Sequence, residues 1–295
     1  MILITGLTGT SGSAFYDVLC REKYTEKIRV VTRGQRNMQL LKNSPLNLEV
    51  LQGDIQDVDF LTEAMEGCDT VFHLAGKEKA DCVAEAIGRS PQVRYAIMVS
   101  STIVYSEYYA TSRLNVIEPK MRQLFRDRGV KYVFIRPTMI FGTPTDSNIS
   151  VFIRWLKKYP VFPLVKHGSA TLQPVSRLDL AEAYWTVLKN INTLQREEYV
   201  VSGREEMTLL EMLQTLSDLL GKKVRFINIP FPLAKFLVDS VYFLTFKRKD
   251  FREKLDRLTE NRAYGHEAFT GEFGYDPPSF AHRAKPLVEA IKKEK

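Results

Sequence analysis

The sequence predicts an α/β fold: a doubly wound parallel sheet with a smaller, mostly helical C-terminal lobe. Strand-like and helix-like stretches alternate through the first half of the chain, which is typical of right-handed βαβ units. The chain also opens on a short apolar run, residues 1–4, that leads into a glycine-rich turn and a helix-like segment. We therefore expect a dinucleotide-binding domain over residues 1–142 and a substrate lobe over residues 143–295, with some lobe segments returning to the sheet.

The turn TGLTGTSG after the first strand carries glycines at positions 6, 9 and 12. Gly6 permits a tight turn, Gly9 lets the backbone approach a pyrophosphate, and Gly12 lets the helix pack against the strand. Free N–H groups around Thr10 and Ser11, with the positive end of the helix dipole, favour bound phosphates. The pattern predicts a nucleotide site, and a purely structural turn is the alternative.

The remaining elements follow from apolar runs and their spacing. Strands are expected at residues 28–32, 48–51, 70–74, 96–100, 132–136 and 198–201. Helices are expected at residues 35–42, 58–65, 79–87, about 107–128, about 151–158, 179–190 and 209–220, the last ending at Gly221. The proline-containing segment 159–168 is expected to be a loop.

The segment 227–246 is unusually apolar, but it contains Lys235, Asp239 and two prolines. These residues make it a poor membrane span. We expect a helix that is buried or packed in a dimer. A helix lying at a membrane surface beside the basic run 247–249 is the alternative.

Composition restricts the class of protein. A chain of 295 residues with 44% apolar and 26% charged residues is ordinary for a globular domain or two lobes sharing a core. Its three cysteines, Cys20, Cys68 and Cys82, have no metal-ligand spacing. We therefore expect a cytoplasmic protein with reduced thiols, no bound metal, no signal peptide and no transmembrane segment.

The net charge of +7 is mostly spread along the chain. The sequence lacks a compact stripe of aromatic and basic residues, which argues against nucleic acid as a partner. An anionic small-molecule substrate is the expected partner.

Several further motifs occur in a fixed order: GDIQD (53–57), HLAG (73–76), VSSTIVY (99–105), RPTMIFG (136–142) and QPVSRLDLAEA (173–183). With the glycine turn, they resemble the extended short-chain dehydrogenase/reductase superfamily. More narrowly, they resemble the NAD-dependent epimerase/dehydratase family of nucleotide-sugar enzymes, which has a Rossmann fold. The resemblance implies one catalytic serine, Ser101, and a homodimer. It also implies these cofactor contacts: Asp54, Ile55, Leu74, Ala75, Gly76, Pro137 and Thr138.

The family's catalytic pair is Tyr-x-x-x-Lys on one helix face. The matching segment here is Tyr109-Ala110-Thr111-Ser112-Arg113, with arginine in place of lysine. The resemblance implies that Tyr109 is the acid/base and that Arg113 holds the cofactor ribose and favours tyrosinate. Tyr109 follows Ser101 by only eight residues, a much shorter loop than in the family. Tyr105 and Tyr108 therefore compete for the role, and a Tyr109 that only packs at the helix start is the alternative.

The residue after the second strand predicts the cofactor. A carboxylate there binds a ribose 2′-hydroxyl and favours NAD, whereas an arginine pairs with a 2′-phosphate. This chain has Arg33, with Arg36 close behind and no acid until Glu49. The sequence therefore predicts NADP, with NAD as the alternative.

The resulting functional hypothesis is an NADP-dependent oxidoreductase or epimerase/dehydratase acting on a nucleotide-sugar-like substrate by tyrosine-assisted hydride transfer. Two alternatives remain open. One is an NADP-binding sensor or assembly protein without catalysis, suggested by Arg113 and the short loop. The other is a hydroxysteroid-type dehydrogenase, suggested by the apolar segment 227–246.

Overall fold

A computed structural model describes residues 1–34, 41–106, 113–244, 255–256 and 258–294. Its strands are β1 (Ile2–Thr5), β2 (Ile28–Thr32), β3 (Leu48–Gln52), β4 (Thr70–His73), β5 (Tyr95–Val99), β6 (Lys131–Pro137), β7 (Ile140–Phe141), β8 (Val161–Val165), β9 (Thr171–Leu172), β10 (Val175–Ser176), β11 (Glu198–Val201), β12 (Met207–Thr208) and β13 (Arg225–Ile229). Its α-helices are α1 (Thr10–Arg21), α2 (Val58–Ala64), α3 (Ala80–Arg89), α4 (Arg113–Asp127), α5 (Ile149–Lys158), α6 (Arg177–Lys189), α7 (Leu209–Leu220), α8 (Phe231–Leu244), α9 (Glu267–Phe273) and α10 (Phe280–Lys293).

Seven strands form one sheet in the order β11-β6-β5-β4-β1-β2-β3, and every pairing in it is parallel. The predicted doubly wound sheet is confirmed. The strand order reverses between β1 and β4, so a crevice opens there at the carboxyl ends of the strands, where such folds bind ligands. Strand β11 comes from the second half of the chain and lies at one edge of this sheet.

Helices cover both faces of the sheet because its central strands are apolar on both sides. All four residues of β1 and of β4 are buried. Helices α1 and α6 pack on one face, where Phe15 meets Tyr184 edge-on at a ring distance of 5.7 Å. Helices α2, α3 and α4 cover the other face. A third apolar cluster, formed by α5, α7, α10 and β8, holds the smaller lobe together.

Two expectations about the lobe are wrong. The segment expected to be a loop contains β8, which pairs in parallel with β13. The apolar segment expected to be one helix begins as the end of β13 and becomes helical only at Phe231. Pro163 hides the strand in the sequence, but it is tolerated because β8 belongs to a two-stranded sheet, where one side of the strand needs no backbone partner.

Helix α8 is only partly covered by the described part of the chain. Ala234 is buried, whereas Leu233 and Phe236 are exposed, Phe236 by 67%. Of the two expected arrangements, a buried helix and a helix packed in a dimer, the described residues show only partial burial. No helix in the described ranges is long and apolar enough to cross a bilayer.

Candidate functional site

The glycine turn has the geometry of a phosphate cradle. Gly6 has a positive φ of 79°, and a Cβ there would lie 2.7 Å from the Ala75 side chain. A Cβ on Gly12 would lie 2.1 Å from the Gly6 carbonyl oxygen. Gly9 caps α1 with extended backbone, and a Cβ there would meet only that same carbonyl oxygen, at 3.1 Å. The absence of a Cβ at Gly6 and Gly12 therefore allows the turn to pack closely. Its absence at Gly9 leaves the surface of the turn without a projecting side chain.

A cavity of about 670 Å³ lies in front of this turn. Its walls come from the carboxyl ends of four neighbouring strands, as expected at a switch point. Most of the predicted cofactor residues line it: Gly6, Gly9, Thr10, Ser11, Arg33, Ile55, Leu74, Ala75 and Gly76. We call this cavity the crevice.

Gly12 and Asp54 are among the predicted cofactor residues that do not line the crevice. Gly12 is packed beneath the turn, in contact with Leu7. Asp54 does not line the crevice, and its Oδ1 accepts a hydrogen bond from the Gln56 backbone N–H at 3.0 Å. Its neighbour Ile55 does line the crevice and is buried. The motif thus brings its apolar residue, rather than its carboxylate, to the wall.

The part of the crevice next to the end of β2 is basic. Arg33 follows β2 and is exposed, and Lys79, which also lines the crevice, is hydrogen-bonded to the Gln56 side chain. The nearest described chain after β2 is Arg33-Gly34, with no carboxylate. Arg36 lies outside the described residues. This part of the crevice therefore presents two cations, Arg33 and Lys79.

A second cavity, of about 400 Å³, continues from the crevice. The two share these lining residues: Ser11, Leu74, Gly76, Ile140 and Asn148. The second cavity lies over the ends of β5 and β6 and includes Ser101, Pro137 and Thr138. The two form one groove along the sheet edge, and we call the second part the inner cavity.

Ser101 follows β5 and begins a short 3-10 turn at Thr102. Its Oγ accepts a hydrogen bond from the Ile103 N–H at 3.3 Å. Because a hydroxyl that accepts one bond can still donate its own proton, Ser101 can donate into the inner cavity that it lines.

Of the three candidate tyrosines, Tyr108 and Tyr109 lie outside the described residues. The hydroxyl of Tyr105 donates to Glu198 Oε1 at 2.9 Å, and its ring lies over the guanidinium of Arg136. Burial raises the pKa of Tyr105 to about 12. Tyr105 is thus held by a carboxylate and is poorly suited to give up its proton near neutral pH.

Arg113 begins α4 and is paired with Asp81 of α3, with Nη2 and Oδ2 2.5 Å apart. It does not line the crevice or the inner cavity as the structure describes them. For the ribose contact that the resemblance implies, the Arg113 side chain would have to leave Asp81.

A buried ionic network lies behind Ser101. Arg136 forms two hydrogen bonds with Glu118, at 3.1 and 2.8 Å, and Glu118 also accepts one from the hydroxyl of Ser100. Burial alone would lower the pKa of Arg136, but Glu118 and Glu198 raise it above its usual value. Through the bond to Ser100, the network fixes the chain directly after β5. No local sequence pattern predicts this network.

Lys77, Arg262 and Tyr264 are among the inner-cavity residues that the sequence motifs did not predict. Lys77 adjoins the HLAG motif and could have been suspected from that position. Arg262 and Tyr264 come from a distant part of the chain, so only the fold brings them to the groove.

Residues 1–253 match the family described as NmrA-like. The chain belongs to the NmrA-like family. This NmrA-like protein is 29% identical over 269 residues to "NADH dehydrogenase [ubiquinone] 1 alpha subcomplex subunit 9, mitochondrial" from Arabidopsis thaliana, covering 81% of this chain. The chain spans 64% of the length of that plant protein.

A second relative is "(4-alkanoyl-5-oxo-2,5-dihydrofuran-3-yl)methyl phosphate reductase" from Streptomyces griseus, 27% identical over 247 residues and 82% of each chain. Among solved structures, dTDP-glucose 4,6-dehydratase from Bacillus anthracis in complex with NAD has a TM-score of 0.73 and 17% identity, covering 100% of this chain and 97% of its own. The fold expected from the resemblance to the epimerase/dehydratase family is confirmed.

Proposed function

We propose that this NmrA-like protein binds NADP(H) in the crevice and transfers hydride to or from a small molecule in the inner cavity. The observation that carries the proposal is the continuous groove. A dinucleotide laid along it from the glycine turn would bring its nicotinamide to the inner cavity, beside Ser101.

Different groups of this chain would bind the cofactor, orient the substrate and move the proton. Backbone N–H groups at the start of α1 would hold the pyrophosphate, and Pro137 and Thr138 would flank the nicotinamide. The cofactor supplies the hydride chemistry. Ser101 would donate a hydrogen bond to a substrate oxygen. Tyr109 would move the proton, with Arg113 as the nearby cation that favours tyrosinate.

The preference for NADP over NAD rests on Arg33. A guanidinium that pairs with a 2′-phosphate forms charge-assisted hydrogen bonds that NADH cannot offer. We expect Arg33→Ala to weaken NADPH binding by about tenfold while leaving NADH binding unchanged, as measured by calorimetric titration. The matched control is Arg94→Ala, an exposed arginine paired only loosely with Asp69 at 3.6 Å. Tighter binding of NADH than of NADPH to the wild-type protein would refute the preference.

Turnover tests the second half of the proposal. NADPH oxidation or NADP reduction is followed with nucleotide sugars, hydroxysteroids, small phosphate esters and small acids. The Streptomyces relative, by its name, reduces a phosphate ester, which motivates the third class. We expect Ser101→Ala to lower kcat with little change in NADPH affinity. Turnover that survives unchanged in both Ser101→Ala and Tyr109→Phe would contradict the catalytic roles.

A second candidate is an NADP-binding assembly protein without catalysis. The pairing of Arg113 with Asp81 and the exposed apolar residues of α8 favour it, as does the likeness to a protein named as a subunit of an NADH dehydrogenase. Tight NADPH binding with no turnover across the panel supports this candidate over the enzyme. A cytoplasmic location and a homodimer stay proposals as well, and sedimentation measures the latter.

A further inference from the structure

We propose that the smaller lobe binds the surface of an anionic lipid bilayer, through one face formed by the two-stranded β8–β13 sheet and helix α8. The protein then lies on the bilayer, because no helix in the described ranges is long and apolar enough to cross one. Cofactor binding and membrane binding use different parts of the molecule, since the crevice lies at the strand ends of the seven-stranded sheet.

The two-stranded sheet has one buried face and one face that is largely open. Phe162 of β8 and Phe226 of β13 are paired in register, and both pack into the apolar cluster of the lobe. Side chains alternate between the two faces along a strand. The next pair, Pro163 and Ile227, therefore lies on the opposite face, and both residues are exposed.

Helix α8 covers one end of that open face and adds exposed apolar groups to it. Its residue Ala234 packs in a small apolar cluster with Val165 and Ile229, which are a paired position of the open face. On either side of Ala234, Leu233 is 49% exposed and Phe236 is 67% exposed. The exposed side chains of β8, β13 and α8 thus form one surface, which we call the lobe face. Its apolar members are Val161, Pro163, Ile227, Leu233 and Phe236.

Two aromatic residues adjoin the lobe face at the end of α5. The indole N–H of Trp155 donates to the Val161 carbonyl at 3.0 Å, and the ring centre of Trp155 lies 5.0 Å from that of Tyr159. Both residues are 42% exposed. Aromatic rings with a polar tip favour the boundary between lipid headgroups and hydrocarbon. The edge of the lobe face therefore carries side chains typical of a bilayer interface.

The charges around the lobe face are predominantly positive. Residues 155–168 and 221–238 contain no aspartate or glutamate, and the nearby acids Asp239 and Asp256 are half-buried. The exposed cations in the two ranges are Lys158, Lys166, Lys222, Lys223, Arg225 and Lys235. This excess of cations gives the surface a positive potential that favours anionic lipid headgroups.

Cations and apolar groups alternate at short range on the lobe face. Arg225 is paired in register with Val161, and Lys235 directly precedes Phe236 in α8. Lysine and arginine can lay their aliphatic stems along apolar surface while their charged ends reach the headgroups. The apolar side chains can therefore enter the edge of the hydrocarbon while the cations contact lipid phosphates.

A second copy of this chain is a poor occupant of the lobe face. In a symmetric dimer the same patch meets itself, so its cations would face the identical cations of the other copy. The exposure of Phe236 also means that its ring projects from the surface, which suits a fluid layer that deforms around it. Charge and shape thus favour a bilayer over self-association.

Co-sedimentation of the full-length protein with lipid vesicles tests the proposal. Vesicles of phosphatidylcholine and phosphatidylglycerol are compared with vesicles of phosphatidylcholine alone. We expect binding to the anionic vesicles to be at least about tenfold tighter and to weaken as sodium chloride is added. Phe236→Ser and Lys235→Glu should each weaken binding to the anionic vesicles by about tenfold. Both residues are exposed, so thermal melts of the two variants should match the wild type.

The matched controls are Val116→Ser and Arg94→Glu, which change an exposed apolar residue and an exposed cation of the sheet domain. Both controls should leave vesicle binding unchanged. NADPH affinity should be the same in Phe236→Ser, Lys235→Glu and the wild type, so the result does not depend on the proposed function.

Tryptophan fluorescence gives a readout that needs no substitution in α8. The chain has two tryptophans: Trp155 adjoins the lobe face, whereas Trp185 packs edge-on against Tyr24 beside the seven-stranded sheet. Anionic vesicles that contain brominated lipid should quench the fluorescence of the wild type and of Trp185→Phe. They should not quench the fluorescence of Trp155→Phe.

Several results would overturn the membrane surface. One is failure of the wild type to bind the anionic vesicles. Another is equal binding by the wild type, Phe236→Ser and Lys235→Glu. A dimer in analytical ultracentrifugation that Phe236→Ser dissociates would assign the lobe face to a second copy of the chain instead.

Discussion

The guanidinium of Arg113 and the carboxylate of Asp81 link the first turns of α4 and α3, with 2.5 Å between Nη2 and Oδ2. The Asp81 carboxylate raises the pKa of Arg113, so the guanidinium stays charged at any working pH. In the sequence resemblance Arg113 matches the family's catalytic lysine, whereas in the structure its charge is directed at a neighbouring helix. If the cofactor binds as proposed, the pair would have to open for this cation to reach it.

Removing the Asp81 carboxylate tests whether the ion pair restrains Arg113. We predict that Asp81→Asn tightens NADPH binding by about twofold, because the guanidinium no longer has a competing anion, whereas Arg113→Gln weakens it. Calorimetric titration measures both, and Glu85→Gln, a change one turn further along α3, serves as the control. Unchanged NADPH affinity in Asp81→Asn and Arg113→Gln would show that Arg113 only ties the two helices together.

Variants of the glycine turn should separate its role in folding from its role in binding NADPH. We predict that Gly12→Ala destabilises the protein by about 3 kcal/mol, because its Cβ would lie 2.1 Å from the Gly6 carbonyl oxygen. Gly9→Ala should keep the melting temperature within a few degrees but weaken NADPH binding by at least about tenfold, since Gly9 lies where the pyrophosphate approaches the backbone.

Gly271→Ala is the control for both, because a Cβ there meets nothing within 4 Å. Thermal melts and NADPH titrations on the three variants give the comparison. Normal NADPH binding by Gly9→Ala would remove the main support for a dinucleotide at this turn.

The sheet could be predicted from the sequence because its signals are local. The observed β2, β4 and β6 begin within one residue of the expected positions, since a doubly buried strand is a continuous apolar run. The crevice could also be predicted from the strands, because a parallel sheet places the carboxyl ends of its strands side by side.

The inner cavity could not be predicted in the same way. The Arg262 backbone N–H donates to the Thr171 carbonyl, 91 positions earlier in the chain, and contacts of this kind bring Arg262 to the cavity. Strand β8 was missed because Pro163 signals a loop when the two-stranded pairing that tolerates it is unknown. What the sequence does not show depends on contacts between residues far apart in the chain.

Glu118 neutralises the buried positive charge of Arg136. The side chains of Glu118 and Arg136 are only 6% and 5% exposed and form two hydrogen bonds with each other. We predict that Glu118→Gln lowers the free energy of unfolding by about 3 kcal/mol, because Arg136 loses its main buried counter-charge. The double variant Glu118→Leu/Arg136→Met should cost less than Glu118→Gln alone. Urea unfolding measures both, and equal stability of Glu118→Gln and the wild type would contradict this account.

His73 makes stability depend on pH. It is fully buried at the end of β4, and its Nδ1 lies 2.7 Å from the Thr5 hydroxyl oxygen of β1. Burial lowers its pKa from 6.5 to about 4, since the neighbouring Gly76 backbone offsets only part of the cost of charging the ring. Between these two values the unfolded chain binds a proton that the folded chain does not.

The contribution of His73 is therefore fully present above pH 6.5 and is lost as the pH falls from there toward 4. At 1.36 kcal/mol per unit of pKa shift, lowering the pH from about 7 to about 5 should cost about 2 kcal/mol of unfolding free energy through this group. Urea unfolding at a series of pH values measures the slope, which should be shallower in His73→Gln and unchanged in the control His282→Gln, an exposed histidine of α10. The same slope in His73→Gln and the wild type would assign the acid sensitivity to other groups, because a neutral glutamine cannot take up the proton.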